Sequence, residues 1–100
     1  SDAKFRPDDA VSRKELAQVL EGLLVLISGD EGLKTQFIGS ESRFPDVRSD
    51  VYYFNAASLV VERGLMQVGK LEGTFRPDDA VSGAEAVLAI QDLRNALVKR

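Results

Sequence analysis

The chain reads as an all-α protein of about three principal helices joined by long ordered loops, and three observations lead there. A capping box occurs twice, Ser12 three residues before Glu15 and Ser82 three residues before Glu85. Apolar residues then follow each box at helical spacing. Nowhere does apolar and polar character alternate for long enough to mark a strand. Behind the paired boxes lies an internal repeat: Phe5-Arg6-Pro7-Asp8-Asp9-Ala10-Val11-Ser12 recurs letter for letter as Phe75-Arg76-Pro77-Asp78-Asp79-Ala80-Val81-Ser82. Repetition of this kind belongs to units that bury their apolar faces against neighbouring copies.

The first helix is expected near residues 12 to 28, with Leu16, Val19, Leu20, Leu23 and Ile27 on its apolar side. Gly22 interrupts it mildly, and Ser28-Gly29-Asp30-Glu31-Gly32 ends it. The stretch from Leu33 to Arg43 has no clear period and reads as a loop. Asp50 is placed to cap a second helix near 51 to 63, where Tyr53, Ala56, Ala57, Val60 and Val61 make an apolar face. Gly64 supplies its left-handed stop and Leu65 the hydrophobic contact that closes such an end. Gly69, Gly73 and Pro77 mark a loop, and the last helix is expected near 82 to 98 with Ala86, Ile90, Leu93 and Leu97 as its stripe.

Composition bounds the function. At 100 residues and 44% hydrophobic the chain has room for one small core. It contains no cysteine and no histidine, which excludes disulfides, thiolate metal sites, thiol nucleophiles and imidazole acid–base chemistry. The net charge is −3 and the basic residues are scattered, so the stripe that a nucleic-acid backbone requires is lacking. The longest uncharged apolar run, Leu23 to Ile27, is far short of the roughly 20 residues that cross a bilayer. The opening Ser1-Asp2-Ala3 reads as an expression remnant, residues 1–4, joined to an excised segment whose signal peptide has been removed.

The motifs resemble those of the S-layer homology domain. In that family a repeat begins near Phe-x-Asp-Val, passes through a helix ending in glycine, and continues as Gly-x-Phe-x-Pro before a Thr-Arg-Ala-Glu helix start. Phe44-Pro45-Asp46-Val47 is similar to the opening, Tyr52 falls where tryptophan is usual, and Arg63-Gly64-Leu65 resembles the helix end. Gly73-Thr74-Phe75-Arg76-Pro77-Asp78 is similar to the loop, and Ser82-Gly83-Ala84-Glu85 holds the place of Thr-Arg-Ala-Glu. On this resemblance, residues 44–100 are a complete repeat, and residues 5–43 are the second half of a preceding one plus a connecting loop. The resemblance implies a non-catalytic module of the bacterial cell envelope, exported, binding peptidoglycan or a wall-associated polysaccharide such as a pyruvylated one. It implies no cofactor and no metal. Three such repeats commonly form a spindle, so one and a half repeats imply self-association or packing with further repeats of a parent protein. The apolar stripe of residues 16 to 27 is the surface expected to need that partner.

The candidate glycan-binding residues are Arg13, Tyr52, Asp46, Arg76 and Glu15. Arg13 keeps the arginine of the family motif, which the second copy replaces with Gly83, and a guanidinium suits a sugar carboxylate. It stands at a helix start, where backbone donors favour an anion; the alternative is a solvated surface arginine. Tyr52 offers a face for a pyranose ring, or else packs inside. Asp46 either orders its loop or binds sugar hydroxyls. Arg6 and Arg76 flank a groove or pair with Asp8, Asp9, Asp78 and Asp79. Those aspartate pairs follow proline and read as turns rather than calcium ligands. Glu15 and Glu85 read as capping partners, with a ligand role open by the motif alone, and Phe5, Phe44 and Phe75 read as loop anchors. Two functions stand: a glycan-binding anchor, or a structural and oligomerisation module that has lost its ligand.

Overall fold

The computed structural model describes residues 11–69 and 71–98, the last three of these by backbone alone. The expected leader 1–4, the Phe5 anchor, Arg6 and the Asp8-Asp9 pair lie outside the described residues. The order of elements is β1 (Val11–Ser12), α1 (Arg13–Ser28), a 3-10 helix (Glu31–Thr35), α2 (Phe54–Glu62), β2 (Ala80–Val81) and α3 (Gly83–Val98). The protein is broadly helical, as the sequence predicts, with one addition. The last two residues of the first octapeptide copy pair with the second copy as a minimal antiparallel sheet, Val11 opposite Val81 and Ser12 opposite Ala80.

That pairing sets the start of α1. Its capping box is complete: Glu15 N–H donates to the Ser12 hydroxyl, and the Glu15 carboxylate accepts from Ser12 N–H at 2.8 Å. The next orphan donors of the first turn are taken by the second copy, Arg13 N–H by the Asp79 carbonyl and Lys14 N–H by the Pro77 carbonyl, each at 2.9 Å. The helix start therefore holds protein carbonyls where an open anion site had been expected. In α3 only half the box forms, with Glu85 N–H on the Ser82 hydroxyl at 3.0 Å.

Helix α2 begins three residues later than predicted. Successive turns, Val51 N–H to the Arg48 carbonyl and Phe54 N–H to the Val51 carbonyl, hold residues 51–53 outside the helix. Asp50 pairs with Arg48 at 2.8 Å, and the cap position is Tyr53, which makes no side-chain cap bond. Its end is as expected. Gly64 has φ +76°, Leu65 N–H reaches the Val60 carbonyl and Gly64 N–H the Val61 carbonyl, the paired bonds of a Schellman end, and Leu65 is buried.

Every residue from Phe54 to Val60 is buried, so α2 is the centre of the molecule and has no single apolar face. Helix α1 packs on it with Leu16, Ala17, Leu20, Leu24 and Val25. Val19 and Ile27, expected inside, are exposed, because the side that meets α2 is rotated away from them. The stripe of α1 thus has its partner within the chain. Among the described side chains of α3, Ala89 and Leu93 are buried and Ile90 is exposed, while Leu97 lies outside them. Phe44 and Phe75 meet at 5.6 Å in the core and anchor their loops.

The stretch after α1 is more ordered than its lack of period foretold. Asp30 caps the 3-10 helix by accepting from Gly32 N–H at 2.9 Å. Buried Asn55 on α2 then bonds to three elements: its Oδ1 accepts from Phe37 N–H at 2.7 Å, and its Nδ2 donates to the Leu33 carbonyl at 2.8 Å and to Glu21 at 2.5 Å. One side chain in the core replaces the periodic pattern as the source of order here.

Candidate functional site

The second octapeptide loop lies across the start of α1, and the contacts made there decide which side chains reach the surface. Arg13 turns inward. It is 4% exposed, its Nε donates to the Phe75 carbonyl at 2.7 Å, and its terminal nitrogens meet the Gln67 carbonyl and, at 3.3 Å, the Glu85 carboxylate. The guanidinium also lies 5.1 Å from the Phe75 ring centre. Burial, and then the nearby charge of Arg76, push its pKa below the ordinary arginine value, against Glu85, Asp79 and Asp46, which favour the charged form. Neither expected position, a surface ligand or a solvated arginine, describes this side chain. It ties the first copy to the loop of the second, and Glu85 is drawn to it and away from its own capping box.

Asp46 serves the same loop from the other side. Its two carboxylate oxygens accept from Phe75 N–H at 2.9 Å and from Arg76 N–H at 2.8 Å. This holds Arg76 at φ +58°, a left-handed conformation that costs a branched or bulky residue about 1–2 kcal/mol. The Arg76 side chain is at the surface, 3.5 Å from Asp79. Glu15 folds back on Ser12, whose backbone and side-chain hydrogen bonds lower its pKa, and takes no part in a common surface with the other candidates.

With Arg13 inside, its neighbour Lys14 comes to the surface beside the two tyrosines. Tyr52 is 74% exposed, and its ring meets that of Tyr53 edge to face at 5.2 Å. Lys14 Nζ lies 5.6 Å from the Tyr53 ring centre and 2.7 Å from Asp78 Oδ1. The hydrogen bond to Asp78 raises the Lys14 pKa, which keeps its ammonium charged at neutral pH. Burial raises that of Tyr53, with the charges of Asp78 and Asp46 adding and Lys14 opposing. The corner therefore joins an open aromatic ring, a hydroxyl, an ammonium and a carboxylate within one patch.

Of the five predicted site residues, Tyr52, Asp46 and Arg76 come to this corner or to the loop that borders it, while Arg13 lies beneath it and Glu15 caps α1. Tyr53, Lys14 and Asp78 were not singled out as site residues. Adjacent helical positions point about 100° apart, so an inward Arg13 places Lys14 at the helix margin; that was the available signal. Among the described residues there is no group of three or more His, Cys, Asp or Glu side chains placed to hold a metal ion, and no helix is long and apolar enough to cross a membrane.

Comparison with curated proteins found no match, and comparison with solved structures found none. Comparison with protein families did: the model of the S-layer homology domain matches residues 43–87. That span begins just before Phe44, takes in Asp46, both tyrosines, α2 and the second octapeptide, and ends in the first half of α3. In residues 43–87 the chain is thus similar to the S-layer homology domain family.

Proposed function

We propose that this chain is a non-catalytic anchoring module of the bacterial cell envelope that binds wall polysaccharide or peptidoglycan at the corner formed by Tyr52, Tyr53, Lys14 and Asp78. Domains of this family are generally cell-surface associated, and cell-wall anchoring is their general role. The observation that carries the site is Tyr52, a large aromatic ring left 74% exposed beside an ion pair. A pyranose ring has an apolar C–H face and a rim of hydroxyls. Tyrosine stacks on the first, while a carboxylate and an ammonium accept from and donate to the second. Asp46 and Arg76 border the corner, Asp46 by fixing the loop and Arg76 by reaching from it. Arg13 acts through the loop it holds.

The finer architecture belongs to the same reading: residues 44–100 form one helix–loop–helix repeat of the family, and residues 5–43 the second half of another with its connection. Val87 and Ile90, 53% and 43% exposed, are the repeat equivalents of Ala17 and Leu20, which α1 buries completely. That equivalence supports packing of α3 against a further repeat, or self-association through the same face, and sedimentation velocity at high protein concentration tests it.

The test of function is retention on purified peptidoglycan sacculi. The parent protein is expected to co-sediment. Tyr52→Ala is expected to lose about tenfold in affinity, the worth of roughly 1–1.5 kcal/mol of stacking, with an unchanged circular dichroism spectrum. A parent protein that stays in the supernatant overturns the anchoring reading, and a Tyr52→Ala protein that binds as the parent does overturns the site.

A further inference from the structure

The two copies of the loop–helix unit bury different sides of their helices, and we infer that the protein therefore associates head to tail, the outer face of α3 on one molecule seated against the outer face of α1 on the next. At the repeat offset of 70 residues, Val19 and Leu23 of α1 correspond to Ala89 and Leu93 of α3, and Ala17 and Leu20 to Val87 and Ile90. Ala17 and Leu20 are fully buried, while Val87 and Ile90 are exposed. Ala89 and Leu93 are buried, while Val19 is exposed and Leu23 only partly covered. Each helix thus leaves open the face that its copy buries. On α1 that face consists of Val19, Gly22, Leu23 and Leu26, at the three- and four-residue spacing of one helix side, with Ile27 at its edge. Leu26 is 77% exposed, and a side chain at Gly22 would meet nothing within 4 Å, so no contact within the chain requires this glycine. Glycine in a helix interior is destabilising; here it leaves a notch between Val19 and Leu26 that an apolar side chain of a neighbour fills.

Charge selects the partner. Glu15 stands at one end of the α1 face, and Asp30 and Glu31 follow the other, all three exposed. Two α1 faces set carboxylate against carboxylate in either direction, Glu15 on Glu15 when parallel and Glu15 on Asp30 and Glu31 when antiparallel. The face of α3 carries the opposite sign. Val87, Ile90 and Arg94 share one side of that helix, with Leu88 next to them, and all four are exposed. From Val87 to Arg94 is about 10 Å along the axis, the same span as from Val19 to Leu26, so Arg94 comes within a turn of an acidic end in either direction. Seated on α1, α3 brings apolar side chains to the stripe and a guanidinium to its carboxylates. The contact is heterologous, so each molecule offers one face of each kind and further molecules can add.

Sedimentation velocity of the intact chain is expected to show an average mass that rises between about 10 and 500 μM, the range for an interface as small as one helix side. Leu26→Glu on α1 and Val87→Glu on α3 each place a carboxylate on an exposed position of one face. Each variant alone is expected to stay monomeric over that range, with the circular dichroism spectrum of the parent. Mixed in equal amounts, they retain one good pair of faces, α3 of the Leu26→Glu protein with α1 of the Val87→Glu protein, and are expected to form a dimer and nothing larger. Val19→Glu and Ile90→Glu repeat the test at a second position of each face. A parent protein that is monomeric throughout overturns the inference. So does a variant that still associates by itself, since two like faces are then in contact, and so does a mixture that remains monomeric. None of these residues lies at the saccharide corner, so loss of association with retention on sacculi intact overturns head-to-tail assembly alone, and loss of retention leaves that assembly standing.

Discussion

Removing the Arg13 side chain is expected to damage the fold, although that residue belongs to a surface-exposed motif by sequence. Arg13→Ala deletes the bond from Nε to the Phe75 carbonyl at 2.7 Å, the bond to the Gln67 carbonyl, and the contact with the Phe75 ring. Phe75 is fully buried, so its carbonyl faces a void after the change. Hydrogen bonds from a charged donor are worth about 1.5–3 kcal/mol each, and such losses are not additive. The pair with Glu85 adds little, because Glu85 is 49% exposed and screened. Breaking a buried charged network of this kind costs about 3–5 kcal/mol. For a chain of this size, 3 kcal/mol lowers the melting temperature by roughly 12–24 °C. Thermal and urea unfolding followed by far-ultraviolet circular dichroism reads the change directly. Lys14→Ala, one residue away at the surface, is the control and is expected to cost less than about 1 kcal/mol. Arg13→Lys is expected to rescue little, since one ammonium lacks the planar fork that reaches three separate acceptors. An Arg13→Ala protein that melts within about 3 °C of the parent refutes the role assigned to this side chain.

Other perturbations report on the loop and on the helix start. Asp46→Ala removes the acceptor for two consecutive backbone amides and is expected to cost about 1–3 kcal/mol in urea unfolding, with Asp46→Asn intermediate. Arg76→Gly releases the left-handed strain at φ +58° and is expected to raise the melting temperature while weakening retention on sacculi; a lower melting temperature contradicts the strain argument. Glu15 has a folded pKa below its ordinary 4.5, through its bonds to Ser12. Its contribution to stability is therefore complete above that value and is lost as pH falls through the lower folded one. Unfolding free energies measured between about pH 6 and 3 are expected to fall less steeply in Glu15→Gln than in the parent, and identical slopes contradict the cap.

Much of the secondary structure was legible because its causes are local. The Ser12–Glu15 box, the glycine at 64 with Leu65 behind it, and the Ser82 start of α3 each involve residues within six positions of one another, and each is where the sequence places it. The start of α2 was misplaced for the same reason in reverse. Asp50 is a good cap by residue type, but the turns that begin at Arg48 engage it elsewhere. The ordered segment after α1 left no periodic trace, since its order comes from Asn55, which is distant in sequence and buried.

By itself, then, the sequence determined three helices, the starts of α1 and α3, the end of α2, a duplicated loop and the family resemblance of residues 43–87. Those features rest on short-range hydrogen bonds and on motif order, both written directly in the chain. Only the tertiary structure decided which copy of the loop caps which helix, which side of α1 meets α2, and which way Arg13 points. Each depends on contacts between residues far apart in the sequence, sixty-two positions for Arg13 with Phe75 and sixty-four for Lys14 with Asp78. Residue type says that an arginine can bind an anion or a carbonyl. The path of the second loop over the start of α1 put carbonyls within reach of Arg13, and so sent Lys14 to the surface beside the tyrosines.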